Sequence, residues 1–167
     1  MIALELTDVK DFMNKLLRSE LFDHFLLQEA CITGAATYTI NGQITRGFYA
    51  EEELEELGLK NVRFLPFSML RENCFDLIKG KKTPCAFRFV FLLSPSNMEN
   101  TIRSVGSNYT SSDISGMYIN LRYQNQLLSL TTGISYNIFS TDKTLENEWD
   151  KLVMKFLTRN EIAYEQI

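Results

Sequence analysis

The chain has 167 residues, 45% of them hydrophobic and 23% charged, with 21 acidic against 17 basic side chains and a net charge of -4. That supply of apolar residues supports a packed core and excludes a disordered chain, while the acidic balance argues against generic binding to nucleic acid or anionic membrane. No run approaches the ~20 consecutive apolar residues of a membrane span, and Met1 leads straight into a strand-like run without a charged leader, so the expected setting is cytoplasmic.

In chain order, Ile2, Leu4 and Leu6 alternate as a short strand does. Thr7 or Asp8 then caps a helix whose Val9, Phe12, Met13, Leu16 and Leu17 fall at i, i+3, i+4, i+7 and i+8, one apolar face with Lys10, Lys15 and Arg18 off it. A strand from Phe25 to Thr33 follows, then one from Ala36 to Ile40, an Asn41-Gly42 turn of hairpin type, and a further strand from Gln43 to Phe48. Residues 1 to 48 therefore read β-α-β-β-β.

Residues 49 to 84 read as a helical insertion. Ala50 to Leu57 predicts an acidic helix closed by Gly58, and Pro66 opens a longer one with Phe67, Leu70, Cys74, Leu77 and Ile78 inward before Gly80 stops it. Lys79, Lys81 and Lys82 lie at its C-terminal end, where the helix dipole favours cations.

Between residues 85 and 140 the same order returns. Phe87 to Leu93 is a nearly continuous aromatic and branched run, predicted as a strand buried on both faces. Ser94-Pro95 starts a helix striped by Met98, Ile102 and Val105 and ended by Gly106. Met117 to Gln124 alternates, Gln124-Asn125-Gln126 breaks the run, Leu127 to Thr132 completes a hairpin, and Ile134 to Phe139 continues the sheet beyond Gly133. After Ser140-Thr141-Asp142, Leu145, Trp149, Leu152, Val153, Phe156 and Leu157 repeat at helical spacing. The tail has two readings, a last strand through Ile162-Ala163-Tyr164 or a frayed end. The predicted class is α+β, with two β-α-β-β-β units (1–48 and 85–140), the insertion at 49–84, and a helix and tail at 141–167.

The chemistry-bearing residues are few. His24 is the only histidine, so any Ser-His or Cys-His mechanism depends on that ring, with Asp23, Cys31, Cys74 or a serine brought to it by folding. Cys31, Cys74 and Cys85 are odd in number and lack C-x-x-C spacing, which reads as free buried thiols and not as a disulfide or metal set. Gly80-Lys81-Lys82-Thr83 echoes a phosphate loop but closes a helix where such a loop opens one, and Phe75 stands where its first glycine belongs. Ser140-Thr141-Asp142-Lys143 fits S-x-x-K without the companion elements of the serine acyl enzymes. Glu51, Glu52, Glu53, Glu55 and Glu56 spread around one short helix, a solvated face or a dock for a basic partner. No cofactor or metal site is predicted.

Met1-Ile2-Ala3-Leu4, Asp8-Val9-Lys10-Asp11-Phe12, Glu51 to Leu59, Leu77 to Pro84, Leu93-Ser94-Pro95, Asn120-Leu121-Arg122-Tyr123 and Thr131-Thr132-Gly133 resemble a family of small proteins from anaerobic Gram-positive bacteria to which no activity is assigned. In topology, two β-α-β-β-β units resemble the repeat of sliding DNA clamps. That likeness implies two helices on one side of a curved sheet, with Lys10, Lys15, Arg18 and Arg103 in the places that face phosphates, and a homo-oligomeric ring that would multiply them. The expected function is a non-catalytic binding or scaffold protein acting on a protein or nucleic-acid partner. The alternative is a small enzyme built on His24.

Overall fold

A computed structural model describes residues 1–167. Seven strands form one antiparallel sheet in the order β3-β2-β4-β5-β6-β1-β7: β1 (Ala3–Leu6), β2 (Leu26–Thr33), β3 (Thr37–Asn41), β4 (Ala86–Leu92), β5 (Ile114–Gln124), β6 (Leu127–Tyr136) and β7 (Tyr164–Gln166). The helices are α1 (Val9–Arg18), α2 (Glu51–Glu56), α3 (Arg71–Ile78), α4 (Pro95–Ser104) and α5 (Thr144–Arg159). The α+β class therefore holds.

Alternation along the strands places α1, α3, α4 and α5 together on one face. Leu4 and Leu6, Leu27, Ala30 and Ile32, Phe87, Phe89 and Phe91, Met117, Ile119 and Leu121, and Leu128 and Leu130 join one buried cluster with Phe12, Leu16, Cys74, Ile102, Trp149, Val153 and Leu157 from the helices. Aromatic rings fill its centre: Phe89 and Phe91 stack in parallel at 5.8 Å, Phe67 meets Phe91 edge-on at 5.1 Å, and Phe22 joins Phe91 at 5.3 Å to Phe156 at 5.6 Å. Each such ring withdraws enough apolar surface to contribute roughly 2–3 kcal/mol.

The local signals explain the element ends. Asp8 accepts from the backbone N–H of Asp11 and caps α1. Ser94 accepts from the N–H of Asn97 with Pro95 in the first turn of α4. Asn125 and Gln126 have φ of 54° and 64°, the paired left-handed conformation of a two-residue hairpin, and they join β5 to β6. The tail forms β7 against β1, with Leu6 opposite Tyr164.

Several expectations are corrected. Neither unit has its fourth strand: Gln43 makes one bridge to Phe64 and Arg46–Phe48 is a single 3-10 turn, while Ile134 to Tyr136 is the end of β6 itself. Arg46 turns away to donate to the carbonyls of Leu59, Lys60 and Val62, and beyond β6 the N–H of Asn137 bonds the carbonyl of Asp113. The segments also occupy the sheet differently, because β4, β5 and β6 are neighbours whereas β4, β5 and β6 separate β1 from β2. β4 is not buried on both faces: Arg88 is exposed and Val90 only half-buried.

Asn41-Gly42 is not the hairpin turn, which lies at Gly34 to Ala36. A Cβ on Gly42 would stand 1.8 Å from the carbonyl oxygen of Leu27, so the glycine permits a close backbone crossing. There the Gly42 N–H bonds Gln28 and the Gly42 carbonyl accepts from Leu65, which in turn accepts from Leu27. This knot ties residues 42–66 to the start of β2, and Phe64 with Leu26 and Leu92 covers that end of the second sheet face. Of the three free cysteines only Cys74 is buried; Cys31 is half-buried and Cys85 exposed, since Cys31 points to the open face and Cys85 precedes β4.

Candidate functional site

The residues singled out in the sequence do not assemble a reaction centre. His24 is exposed and lines a polar cleft of about 520 Å³ with Asn61, Ser68, Ser94, Ser96 and Asn97, and no hydrogen bond reaches its ring. Asp23 is taken by Arg71, whose Nε and Nη2 donate to the two carboxylate oxygens at 2.9 and 3.3 Å. Cys74 sits in the core, where burial pushes its thiol up to about 12. Ser140 accepts from Tyr109 Oη at 2.7 Å and from the N–H of Asp142, so it organises the entry to α5, while Asp142 accepts from Thr144.

The basic positions are divided between helices. Lys15 Nζ donates to Asp11 at 2.8 Å and to the carbonyl of Glu161, Arg18 lies over the Phe75 ring at 5.4 Å, and Arg103 pairs with Glu99 at 3.2 Å. Lys10 is exposed. α1 packs on α3, whereas α4 packs on the 111–113 turn. Glu51, Glu52, Glu53, Glu55 and Glu56 are all exposed, with only Leu54 of α2 turned inward.

The structure instead reveals a groove that the sequence did not announce. Residues of α4 and α5 face each other across Ile119 of β5, and about 410 Å³ opens between them, within the range of small-molecule sites. Its floor and far wall are Phe25, Leu93, Ile119, Trp149, Val153 and Phe156; its near wall is Asn97, Asn100, Thr101 and Ser104. The cause is a matter of side-chain length. Ile102 enters the core from α4, but the face turned to α5 carries amides and hydroxyls at i, i+3, i+4 and i+7, too short and polar to interdigitate with Trp149 and Phe156.

The groups in this groove differ in what they have free. Thr101 and Ser104 return their hydroxyls to the helix carbonyls of Asn97 and Thr101. The Trp149 indole N–H is spent on the carbonyl of Tyr118 at 3.1 Å, leaving its ring as an apolar wall. The carboxamides of Asn97 and Asn100 make no side-chain hydrogen bond in the protein, so each offers a donor and an acceptor. No ionisable side chain lines the groove. A signal existed in the 97, 100, 101, 104 spacing, a polar stripe beside the apolar one of Met98, Ile102 and Val105.

A family model, described as a family of unknown function (DUF5721), matches residues 15–165. No curated protein and no solved structure matches the chain. No helix is long and apolar enough to cross a membrane.

Proposed function

The chain belongs to the family of unknown function DUF5721, and from that premise we propose that it is a non-catalytic binding protein whose ligand is a neutral, largely apolar small molecule held between α4 and α5. The observation that carries this reading is the groove's lining: aromatic and aliphatic walls, two free carboxamides at one edge, and no carboxylate, amine, imidazole or thiol. An apolar body of the ligand covers Phe25, Leu152 and Phe156 above the buried Trp149 and Val153, while a group that both donates and accepts meets Asn97 and Asn100. Charged ligands are disfavoured because nothing in the walls offsets their desolvation. The volume suits a compact ring system better than a folded partner.

Trp149 is the single tryptophan of the chain, which makes its emission a direct reporter of the groove. Dansylamide, a neutral aromatic sulfonamide, is the probe. Saturable energy transfer from Trp149 is expected, weakened roughly tenfold or more by Leu152→Glu, which sets a charge at the exposed apolar rim that Leu152 of α5 gives the groove. Dansylglycine, its carboxylate counterpart, is expected to bind more weakly. Absence of saturable transfer, or equal transfer to both probes, overturns the reading.

A further inference from the structure

The two outer strands of the sheet are built unlike each other. β7 is three residues long and includes Glu165, a short and charged edge of the kind that resists pairing with another chain. β3 is longer, exposed at four of its five residues, and contains no charge, proline or bulge. Indeed no residue from Ala30 to Thr45 is charged.

The phase of the β2–β3 hairpin determines which main-chain groups of β3 are free. The Gly34 N–H bonds Ala36 and the Gly42 N–H bonds Gln28; with Ile32 opposite Tyr38 and Ala30 opposite Ile40, the ladder bonds fall on Tyr38 and Ile40. Thr37, Thr39 and Asn41 therefore turn their N–H and C=O groups outward. These are unmet donors and acceptors along an open edge.

We infer that this edge is an interface for a second copy of the chain, the two β3 strands pairing antiparallel about a two-fold axis at Thr39. In that register Thr39 meets its own copy and Thr37 meets Asn41, so every outward group finds a partner. Tyr38 then stands opposite Ile40 in the close, non-hydrogen-bonded pairs, and Thr39 opposite Thr39; aromatic–branched and threonine–threonine pairs are the favoured cross-strand combinations. A two-fold contact demands such self-complementarity.

Charge supports the same occupant. Tyr38 lines a cleft with Leu77, Lys79 and Lys82 at the hairpin-tip end of β3. At the other end, Leu54 of the five-glutamate helix α2 packs with Ile44, three residues past the strand. Antiparallel pairing carries the glutamate end of each copy toward the lysine end of its partner. A foreign strand would meet the same hydrogen bonds without this exchange of charges.

The test is molar mass by light scattering. The full chain is expected at twice its 19.3 kDa at about 100 μM, a concentration at which mass action favours even a modest dimer. Thr39→Pro removes an outward N–H and the long hydroxyl contact to Cys31 Sγ at 3.9 Å, a change tolerated at such an edge position, so a folded monomer with an unchanged circular dichroism spectrum is expected. Thr39→Lys and Thr39→Glu alone place like charges at the axis and are expected to be monomeric, whereas their equimolar mixture returns to the dimer mass. A wild-type monomer, a mass above two copies, or a dimer indifferent to all three substitutions overturns the inference.

Discussion

Along β4 the two faces of the sheet are written in alternate residues. Phe87, Phe89 and Phe91 are buried beneath the helices, while Arg88 is exposed and Val90 half-buried on the opposite side. Across β5 the same division separates Met117, Ile119 and Leu121 from Asn120 and Arg122. Arg88 and Arg122 stand directly opposite each other on the open face, an arrangement tolerated because Glu29 accepts from Arg88 and Gln124 from Arg122 in contact with solvent. One face thus carries most of the cohesion of the fold, and the other carries it only at the end where Leu26, Phe64 and Leu92 pack. The exception on the helix side is the α4–α5 gap, where cohesion was given up and a groove resulted.

The sharpest way to break this comparison is a matched pair of truncations in adjacent residues. Phe89→Ala deletes a fully buried ring that touches Phe67, Phe87 and Phe91, and about 3–5 kcal/mol of stability is expected to go with it. Val90→Ala, one step along the strand and on the other face, is expected to cost about 1 kcal/mol or less. Urea midpoints at constant slope measure both. Similar losses would mean that the open face is packed in solution after all.

That alternation is also what made most of the fold legible. Period-2 runs in β1 and β5 and the apolar stripes of α1 and α5 depend only on which residues are adjacent along the chain. Gly42 has the sequence look of a hairpin turn because its need for space comes from the Leu27 carbonyl oxygen, reached only after the 42–66 segment has folded back. The two similar element orders suggested equivalent units, but order along the chain does not determine which strand inserts beside which, and β1 finds β6 instead of β2. The groove was hidden for a related reason: Leu152 and Phe156 look like core from α5 alone, and the short polar face of α4 leaves them partly exposed beside the buried Trp149 and Val153.

A smaller effect tests the polar seam that interrupts the helix face. Thr132 bonds Asp150, and Glu146 of the same helix accepts from the amino group of Met1 at 2.6 Å and pairs with Lys143 at 3.0 Å. The amino group, and then Lys143, hold the Glu146 carboxyl below its ordinary range. A carboxyl with a depressed folded-state value contributes stability above its ordinary range and loses it as pH falls through the folded value. Glu146→Gln is therefore expected to cost about 1 kcal/mol or less at neutral pH and nothing in strong acid. A difference that persists unchanged into acid would show that shape, not charge, holds this contact.

The smallest effect is expected where the helix face contains a polar atom with nothing to bond. The Tyr136 hydroxyl is buried without a hydrogen-bond partner, 5.3 Å ring to ring from Tyr109, whose single hydroxyl proton is shared between Ser140 and the carbonyl of Asp142. Burial first, and Tyr109 next, push the Tyr136 phenol up to about 12. Tyr136→Phe removes a desolvated hydroxyl and no bond, so a change within about 0.5 kcal/mol is expected, whereas Tyr109→Phe forfeits the shared bond to Ser140 and Asp142 and about 1 kcal/mol. A raised phenol contributes stability below its ordinary value and loses it as pH climbs through the folded one. Wild type should accordingly weaken more than Tyr136→Phe between about pH 10 and 12, and parallel alkaline curves would place that hydroxyl in contact with water.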